Sequence, residues 1–479
     1  MNTLLNLRIL GWLLVILGFV EFIPVATAIV CGEPVEPYLA SALTTLVFGF
    51  ALALGIQPEN RRLRARDGFV VVTLGWILAS LFGAIPYVAT DTLSPVDALF
   101  ESVAGFTTTG STVMTRIEGS PHALLIWRSI SQWLGGMGII VFAVAILPLL
   151  GVGGMQLLKR EMPGPSVEKV RPRVAAAARR MWGIYVGLTG AEFLALWIAG
   201  MGGFEALCHA FTTVSTGGFS TRDASIGGFA SPAIEWIVIF FMLCGGINFV
   251  LHYRALTGGL RSSLGDSELR FYGWLMAGAT AAVAFALWNQ DAAAGHSLRA
   301  ATFQVVSIGT TAGYTTADYE MWPALAQLVL LHLMVLGGMA GSTSGGIKTM
   351  RALLLLRALG SALSRLGHAR AVPRPVLYGE RLVSDETLAG VFAFVALYVL
   401  IAAVAAAGVA AADYDLTTSL SAALTAIGNV GPALGETGPF DNFAHFPASV
   451  KLGLALCMIA GRLELFTLVA LLRIDFWRQ

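Results

Sequence analysis

Charged residues are scarce in this sequence. Only 12% of its 479 residues are Asp, Glu, Lys or Arg, against about 25% in an average soluble domain. Hydrophobic residues make up 56% of the chain, a composition that excludes an ordinary soluble fold. The net charge of +1 hides a segregation of the two signs along the chain.

Cysteine and metal-binding patterns are also rare. The four cysteines form no CxxC pair and the seven histidines show no HExxH spacing, so a metal centre is not predicted. Gly341–Thr349 approaches the phosphate-binding GxxxxGK[ST] pattern, but Ile347 intrudes before Lys348. We find no nucleophile with a base in the apolar segments. The sequence therefore predicts a protein that is not an enzyme and binds no cofactor.

Apolar runs long enough to cross a hydrocarbon core of about 30 Å as helices dominate the chain. Two of them, Ile9–Val30 and Ala40–Ile56, form a two-helix N-terminal extension, or preface, before the repeated part of the chain. The rest repeats one order: a spanning helix, a short helix, a loop with glycine and a second spanning helix. The pattern predicts ten spans and four short helices. The short helices are expected at Pro95–Phe106, Phe204–Val214, Ser297–Ile308 and after Asp415.

We therefore predict an all-α polytopic membrane protein. Four pseudo-repeats of helix, re-entrant pore helix, filter loop and helix surround one pore, and a two-helix extension precedes them. The predicted divisions are 1–66 for the extension and 67–175, 176–265, 266–380 and 381–479 for the repeats. Ser94, Pro95 and Asp97 form the N-cap pattern that starts the first short helix.

Four similar loops follow the short helices. They read TTTGST from Thr107, STGGFS from Ser215, TTAGYTT from Thr310 and IGNVGP from Ile427. Their glycines superimpose as Gly110, Gly217, Gly313 and Gly431, which gives a unit of about a hundred residues. Glycine permits positive φ, and a ring of backbone carbonyls can replace the hydration shell of potassium. The loops predict a potassium-selective filter.

Basic residues concentrate on one predicted side of the membrane. Arg61–Arg66, Lys159–Arg180 and Arg357–Arg381 are basic stretches, whereas the opposite side carries acidic residues such as Asp91 and Asp441. The positive-inside rule then makes both termini cytoplasmic, with all four loops reached from outside. An acidic outer mouth would also concentrate cations.

Two basic residues, Lys348 and Arg462, fall inside the predicted membrane. A charge there is costly and marks functional sites. We predict that the apolar stretch Pro323–Leu356 breaks at Gly341–Gly346, and that this segment and a nearby cation gate the pore. The predicted gate residues are Gly337, Gly338, Gly341, Gly345, Gly346, Lys348 and Arg462. The alternative is structural: Arg462 pairs with Glu464 or caps free carbonyls at the helix break.

Three longer strings carry a resemblance to a known family. They are SQWLGGMGIIVFAVAILPLLGVGGMQLLKREMPGP (Ser131–Pro165), AGSTSGGIKTMR (Ala340–Arg351) and GRLELFTLV (Gly461–Val469). These strings are similar to the bacterial potassium-uptake proteins of the TrkH/TrkG type, in the Trk/Ktr/HKT superfamily. The resemblance covers essentially the whole chain, including the two-helix preface.

The resemblance implies a homodimer in the bacterial inner membrane, each subunit having its own pore. It also implies gating by cytosolic TrkA-type subunits that bind NAD and ATP, and potassium as the transported ion. The implied potassium ligands are Thr108, Thr109 and Gly110; Ser215, Thr216 and Gly217; Thr311, Ala312 and Gly313; and Asn429, Val430 and Gly431. Because none of the loops is a full TVGYG, selectivity over sodium is expected to be looser than in tetrameric channels.

Two other functions stay open at this point. A secondary transporter coupled to protons or sodium would need a titratable carboxylate in the ion path. The candidates are Glu21, Glu192, Glu235 and Glu464, whose positions favour helix packing. A membrane sensor or scaffold would not require four ion-coordinating loops.

The predicted topology can be tested with reporter fusions. Reporters fused after Arg66, Arg173 or Arg370 should be cytoplasmic, because these residues belong to the basic stretches. Those fused after Glu36 or Asp441 should be periplasmic. Paired fusions to alkaline phosphatase and a fluorescent protein measure both outcomes at each position. A periplasmic signal after Arg173 would contradict the four-repeat arrangement.

Overall fold

Helices form almost all of the regular structure in a computed structural model of the chain, which describes residues 2–58, 65–145, 170–288, 294–367, 375–379 and 381–472. Within these ranges the strands are β1 (Leu377–Tyr378) and β2 (Arg381–Leu382), which pair antiparallel as a small hairpin. The predicted all-α class is confirmed.

The N-terminal preface is a tight helical hairpin. Its helices are α1 (Thr3–Val20), α2 (Phe22–Cys31) and α3 (Glu36–Gly55). Close approach of α1 and α3 requires glycine, because a Cβ on Gly11 would lie 2.5 Å from the backbone nitrogen of Ala53. Buried Glu21 accepts hydrogen bonds from Ser41 at 2.8 Å and from Thr45 at 3.1 Å. This carboxylate therefore fastens the hairpin.

Spanning and short helices alternate through the rest of the chain. They are α4 (Ala65–Gly83), α5 (Ile85–Ala89), α6 (Pro95–Phe106), α7 (His122–Ala145), α8 (Val170–Ile198), α9 (Gly203–Val214), α10 (Pro232–Gly246), α11 (Phe249–Gly258), α12 (Arg261–Leu264), α13 (Ser267–Trp288), α14 (Ala294–Gly309), α15 (Ala324–Val335), α16 (Thr349–Gly367), α17 (Asp385–Ala410), α18 (Leu416–Gly428), α19 (Ala448–Arg462) and α20 (Phe466–Leu472).

The four predicted short helices are present as α6, α9, α14 and α18, and α6 has the predicted bounds. The hydroxyl of Ser94 accepts from the amide of Asp97 at 3.3 Å, as the N-cap pattern predicts. Asp415 caps α18 in the same way, and hydrogen bonds from Thr418 and Thr417 hold the pKa of this carboxyl below its usual range. Each short helix packs between longer ones and ends directly at a loop.

Two predicted spans are broken where the sequence suggested continuity. Ile234–Leu251 divides into α10 and α11, which meet at 99°, and the side chain of Asn248 caps α11. Lys451–Leu472 divides after Arg462, where the next turn is left-handed. The amide of Leu465 bonds to the carbonyl of Ala460 at 3.0 Å, which closes the end of α19.

The predicted break in Pro323–Leu356 is confirmed, and it is longer than expected. Helix α15 ends before a loop at Leu336–Lys348, and α16 follows it. This loop is called the intramembrane loop hereafter, because it lies within the span predicted from the sequence. Two backbone hydrogen bonds join the two ends of the loop. The amide of Gly337 bonds to the carbonyl of Ile347, and the amide of Ile347 bonds to the carbonyl of Val335, both at 2.9 Å.

Six helical segments in the described ranges are long and apolar enough to cross a membrane, or seven if the bent pair α10 and α11 counts as one. The six are Thr3–Cys31, Glu36–Gly55, Arg66–Ala89, Ala176–Ile198, Ser267–Trp288 and Asp385–Ala410. The other predicted spans are broken helices, apart from Ala123–Leu150, whose last residues lie outside the described ranges. Less than half of each apolar window is buried within the chain, so the remaining apolar face is available to hydrocarbon.

Candidate ion-conduction site

Four loops, one after each short helix, meet in a closed ring. The glycine of each loop lies so close to a carbonyl oxygen of the next loop that an added Cβ would be 1.9 to 2.7 Å from it. Around the ring these contacts join Gly110 to Gly217, Gly218 to Ala312, Gly313 to Val430 and Gly431 to Thr109. Since Cβ atoms essentially never approach other atoms within 3.0 Å, the ring closes only with glycine at these positions.

Backbone angles show which residues of the four loops are equivalent. Left-handed φ values of 52° to 58° occur at Thr108, Thr216, Thr311 and Asn429. Two residues later, φ values of 76° to 112° occur at Gly110, Gly218, Gly313 and Gly431. The predicted alignment of Gly217 with the other glycines is therefore wrong by one residue. The adjacent glycines of STGGFS give no sequence signal for choosing between them.

The loop amides are committed to the short helix that precedes them. The carbonyl of Ala104 in α6 accepts from the amides of Thr109 at 2.9 Å and Gly110 at 3.3 Å. The equivalent acceptor residues in the other loops are Thr212, Ser307 and Thr425. This pattern fixes the loop backbone through its donors and leaves its carbonyl oxygens for other partners.

Several loop carbonyls have no donor. In the part of the chain that the structure describes, none reaches the carbonyl oxygens of Thr108, Thr216, Thr311 and Asn429. These residues are all buried, with 1% exposure or less. A buried carbonyl without a partner is costly, and a dehydrated cation can satisfy several carbonyls at once. A ring of such carbonyls can therefore hold a dehydrated cation.

Gln132 on α7 forms two hydrogen bonds to the backbone of the second loop. Its amide nitrogen donates to the carbonyl of Gly217 at 2.6 Å, and its amide oxygen accepts from the amide of Phe219 at 3.0 Å. Asn429 similarly bridges two loops, because its amide nitrogen donates to the hydroxyl of Thr109 at 2.9 Å. Gln132 was not predicted, although a polar amide in a predicted membrane helix is a signal of this kind.

A buried ion pair supports the same side of the ring. Arg128 and Glu101 are 2.9 Å apart and at most 1% exposed. Arg128 also donates to the carbonyl of Ser220 at 3.0 Å, and its guanidinium lies 4.1 Å from the centre of the Phe219 ring. Glu101 accepts from the hydroxyl of Thr112. This pair ties the first loop to the second, a role that its sequence position near a helix end did not indicate.

A cavity of about 100 Å³ opens on one side of the ring. The ring glycines Gly110, Gly218, Gly313 and Gly431 all line it. Its two arginines are paired with carboxylates, Arg128 with Glu101 and Arg222 with Glu205. Asp223 and Asp441 also line the cavity, and neither has an ion-pair partner among the described residues. The resulting field favours cations at the entrance.

The intramembrane loop contacts the ring at residues that do not line this cavity. The amide of Gly345 donates to the hydroxyl of Thr311 at 2.7 Å, and the hydroxyl of Thr216 donates to that of Thr343 at 3.2 Å. A Cβ on Gly345 would lie 2.2 Å from the carbonyl oxygen of Gly428. The loop thus contacts three of the four ring segments.

The side chain of Arg462 binds a backbone carbonyl of this loop and one of α7. Its guanidinium donates to the carbonyls of Thr343 at 2.7 Å and Gly135 at 3.0 Å, and the residue is 2% exposed. The suggested pairing with Glu464 is wrong, because Glu464 forms its ion pair with Arg351. The other part of that alternative, capping of free carbonyls at the helix break, is met at Thr343, whereas Gly135 lies within α7. Lys348 donates to the carbonyl of Ser344 within the loop.

The chain is similar to known proteins over nearly its whole length. The TrkH family, described as cation transport proteins, matches residues 39–477. The chain belongs to the TrkH family. It is 40% identical over 484 residues to the Trk system potassium uptake protein TrkH of Escherichia coli (strain K12), a match that covers 98% of this chain and 99% of that one. TrkG of the same organism is 36% identical over 91% of each chain.

A TrkH-family member of known structure has the same fold. The crystal structure of the potassium transporter TrkH from Vibrio parahaemolyticus matches with a TM-score of 0.92 and 36% identity over the whole of both chains. The protein is therefore a multi-pass membrane protein of this family.

The predicted site residues of this TrkH-family chain form two adjoining groups. The filter candidates all lie in the four ring loops. The gate glycines and Lys348 lie in the intramembrane loop, and Arg462 contacts that loop from α19. What the sequence did not indicate is the order of contacts around the ring and the support from Gln132, Arg128 and Glu101.

The ring contact at Gly313 can be tested by substitution. Gly313→Ser adds a Cβ at φ 76° and 2.0 Å from the carbonyl of Val430, so we expect the carbonyl ring to distort. The ratio of rubidium to sodium uptake in proteoliposomes should fall by about tenfold, equivalent to about 1.4 kcal/mol of selectivity. The control is Gly273→Ser on α13, where an added Cβ meets nothing within 4 Å. An unchanged ratio in folded Gly313→Ser protein would remove Gly313 from the filter.

Proposed function

We propose that this chain takes up potassium across the bacterial inner membrane through the ring of four loops. The observation that carries the proposal is the ring itself: buried carbonyls without donors, closed by four glycine contacts in chain order. The names of the relatives, Trk system potassium uptake proteins, support potassium as the ion. Transport rather than catalysis is the activity that this geometry serves.

The proposed potassium ligands are the backbone carbonyls of the ring loops. They include the predicted Thr108, Thr109, Gly110, Ser215, Thr216, Gly217, Thr311, Ala312, Gly313, Asn429, Val430 and Gly431, to which the structural alignment adds Gly218. The carbonyls at the four left-handed positions are the strongest candidates. At this position all four loops lack a donor among the described residues, whereas at the next two positions the carbonyls of Gly217 and Gly431 accept from Gln132 and Ser111. Since the loops differ in sequence, the sites they form are unequal, which supports modest selectivity over sodium.

The proposed arrangement in the membrane follows the four-repeat division at 67–175, 176–265, 266–380 and 381–479, after the extension at 1–66. Both termini are cytoplasmic in this proposal, and the cavity with Asp223 and Asp441 faces outward. The unpaired acidic residues at that cavity support the orientation. Many of the basic residues that the sequence predicts on the cytoplasmic side, including Arg61, Arg62, Lys159 and Lys169, lie outside the described ranges.

The intramembrane loop and Arg462 form the proposed gate. Counting along α19 from Ala448 puts Arg462 at a depth of about 20 Å, beneath the ring. A fixed positive charge about 5 Å from a potassium ion at an effective dielectric of about 20 costs about 3 kcal/mol. That repulsion lowers occupancy by about a hundredfold. Because Arg462 also bonds to Thr343 and Gly135, the same side chain holds the obstructing loop in place.

Partners are proposed on the resemblance and on charge. A homodimer gated by a cytosolic TrkA-type subunit that binds NAD and ATP fits a chain with basic stretches at Lys159–Arg180 and Arg357–Arg381. Much of both stretches lies outside the described ranges. Within the described part, Arg180 donates to the hydroxyl of Tyr253 and Arg357 to the carbonyl of Leu377. The proposed transporter itself binds no cofactor, and potassium is its cargo.

One observation favours a second candidate, proton-coupled uptake. Glu192 in α8 is fully buried, and neither carboxylate oxygen has a hydrogen-bond partner among the described residues. The other carboxylates considered are committed: Glu21 to Ser41 and Thr45, Glu235 to Arg299, and Glu464 to Arg351. Glu192 makes none of the contacts that hold the ring or the intramembrane loop, so uncoupled flux remains the better supported function.

Rubidium uptake into proteoliposomes decides between these functions. We expect uptake down a rubidium gradient without a proton gradient, because the carbonyls of the ring bind a cation without a titratable group. Glu192→Gln should preserve this uptake to within about twofold, and Gly313→Ser serves as the defective control. Uptake that requires an imposed proton gradient and is abolished in Glu192→Gln would establish coupled transport instead. No uptake under any gradient would favour a sensor.

The gate is tested by two substitutions at one position. Arg462→Ala removes both the charge and the bonds to the loop, so basal rubidium flux should rise by about tenfold or more at equal reconstituted amounts. Arg462→Lys keeps the charge but cannot bridge two carbonyls in the same way. A rise only in the alanine variant assigns the barrier to charge, and a rise in both assigns it to the bonds. Unchanged or lower flux in folded Arg462→Ala protein would place the gate elsewhere.

A further inference from the structure

A single buried carboxylate joins the intramembrane loop to the β1–β2 hairpin. Glu268, the second residue of α13, is 2% exposed. One oxygen accepts from the amide of Ala340 at 2.8 Å, the hydroxyl of Thr349 at 2.8 Å and the amide of Met350 at 3.0 Å. The other oxygen accepts from the hydroxyl of Tyr378 at 2.9 Å.

These four donors come from three segments of the chain. Ala340 belongs to the intramembrane loop, Thr349 and Met350 begin α16, and Tyr378 lies in β1. No cation within the described ranges is in ion-pair distance of Glu268, so neutral donors and the start of α16 alone stabilise its charge. Loss of any one donor therefore changes how the others are held.

The hairpin is itself packed on the helix that follows the loop. The amide of Val383 bonds to the carbonyl of Val376 at 2.9 Å, and Arg357 on α16 donates to the carbonyl of Leu377. Val383 also packs in an apolar cluster with Leu354 of α16. Leu377 and Leu382 remain largely exposed beside this anchored base. A force applied to the hairpin thus reaches Tyr378 and α16 together.

We propose that Glu268 is a positioning residue for the gate, through which displacement of the hairpin releases the intramembrane loop. Withdrawal of the Tyr378 hydroxyl leaves the carboxylate free to shift, and the amide of Ala340 loses a fixed acceptor. This inference rests on the proposed function, because it takes the loop to be the barrier to ion flow.

The test measures the loop directly. Ser342, which is buried in the loop, is changed to cysteine in a chain whose native cysteines are replaced by alanine. The rate of its modification by a small cationic methanethiosulfonate reagent reports how far the loop opens. We expect Tyr378→Phe to raise this rate by about tenfold, although Tyr378 does not touch the loop. The matched control, Tyr253→Phe, removes a hydroxyl bonded to Arg180 instead and should leave the rate unchanged.

A double substitution separates transmission from a general loss of structure. Glu268→Ala should raise the rate as well, and adding Tyr378→Phe to it should have no further effect, because the link is already cut. Multiplied effects in the double variant would overturn the proposal, as would an unchanged rate in Tyr378→Phe alone. If Glu268→Ala does not fold, the comparison of Tyr378→Phe with Tyr253→Phe still decides.

Flux measured on the same variants separates this inference from the function. Unchanged modification in a protein that transports rubidium would refute the role of Glu268 and leave the transport proposal intact. Faster modification without rubidium flux in any variant would refute the transport proposal and leave the link between hairpin and loop intact. Agreement of the two, with flux rising as the loop opens, is the expected result.

Discussion

Contact between a glycine and the carbonyl of the next loop is the constraint on which this structure depends. The contact recurs four times, between Gly110, Gly218, Gly313 and Gly431 and their neighbours, and it leaves no room for a side chain. The loop amides donate to the short helices α6, α9, α14 and α18, so these four helices fix the geometry of the ring. The spanning helices act as the wall that holds those four helices in position.

Desolvation explains why polar groups are placed as they are around the ring. Backbone at membrane depth must find partners within the protein, and the structure supplies them from few side chains. Gln132, Asn429 and the Arg128–Glu101 pair serve the ring, while Arg462 and Glu268 serve the intramembrane loop. Among the described residues, the carbonyls of Thr108, Thr216, Thr311 and Asn429 are left without such partners.

Helix-start residues in the sequence predicted the short helices well. The sequence did not indicate contacts between residues that are far apart along the chain. Ser94 and Pro95 mark the start of α6, and the sequence therefore predicted its bounds correctly. The second loop was misaligned because its sequence has two adjacent glycines, Gly217 and Gly218. Only the contact of Gly218 with the third loop shows which of them matches the glycines of the other loops. The end of α19 was missed because the apolar sequence around Arg462 continues without Pro or a second Gly to mark the turn. Partners such as Gln132 for Gly217 are 85 residues apart, beyond any local pattern.

Because one chain contributes all four loops, the ring has no exact rotational symmetry. Asn429 stands where the other loops have threonine, and Pro432 follows the fourth glycine. In an assembly of four identical subunits, every substitution would alter the whole circumference at once. Here a single codon changes one quarter of it. The lining of the ring can therefore change in small steps, since a substitution in one loop leaves the sequences of the other three unaltered.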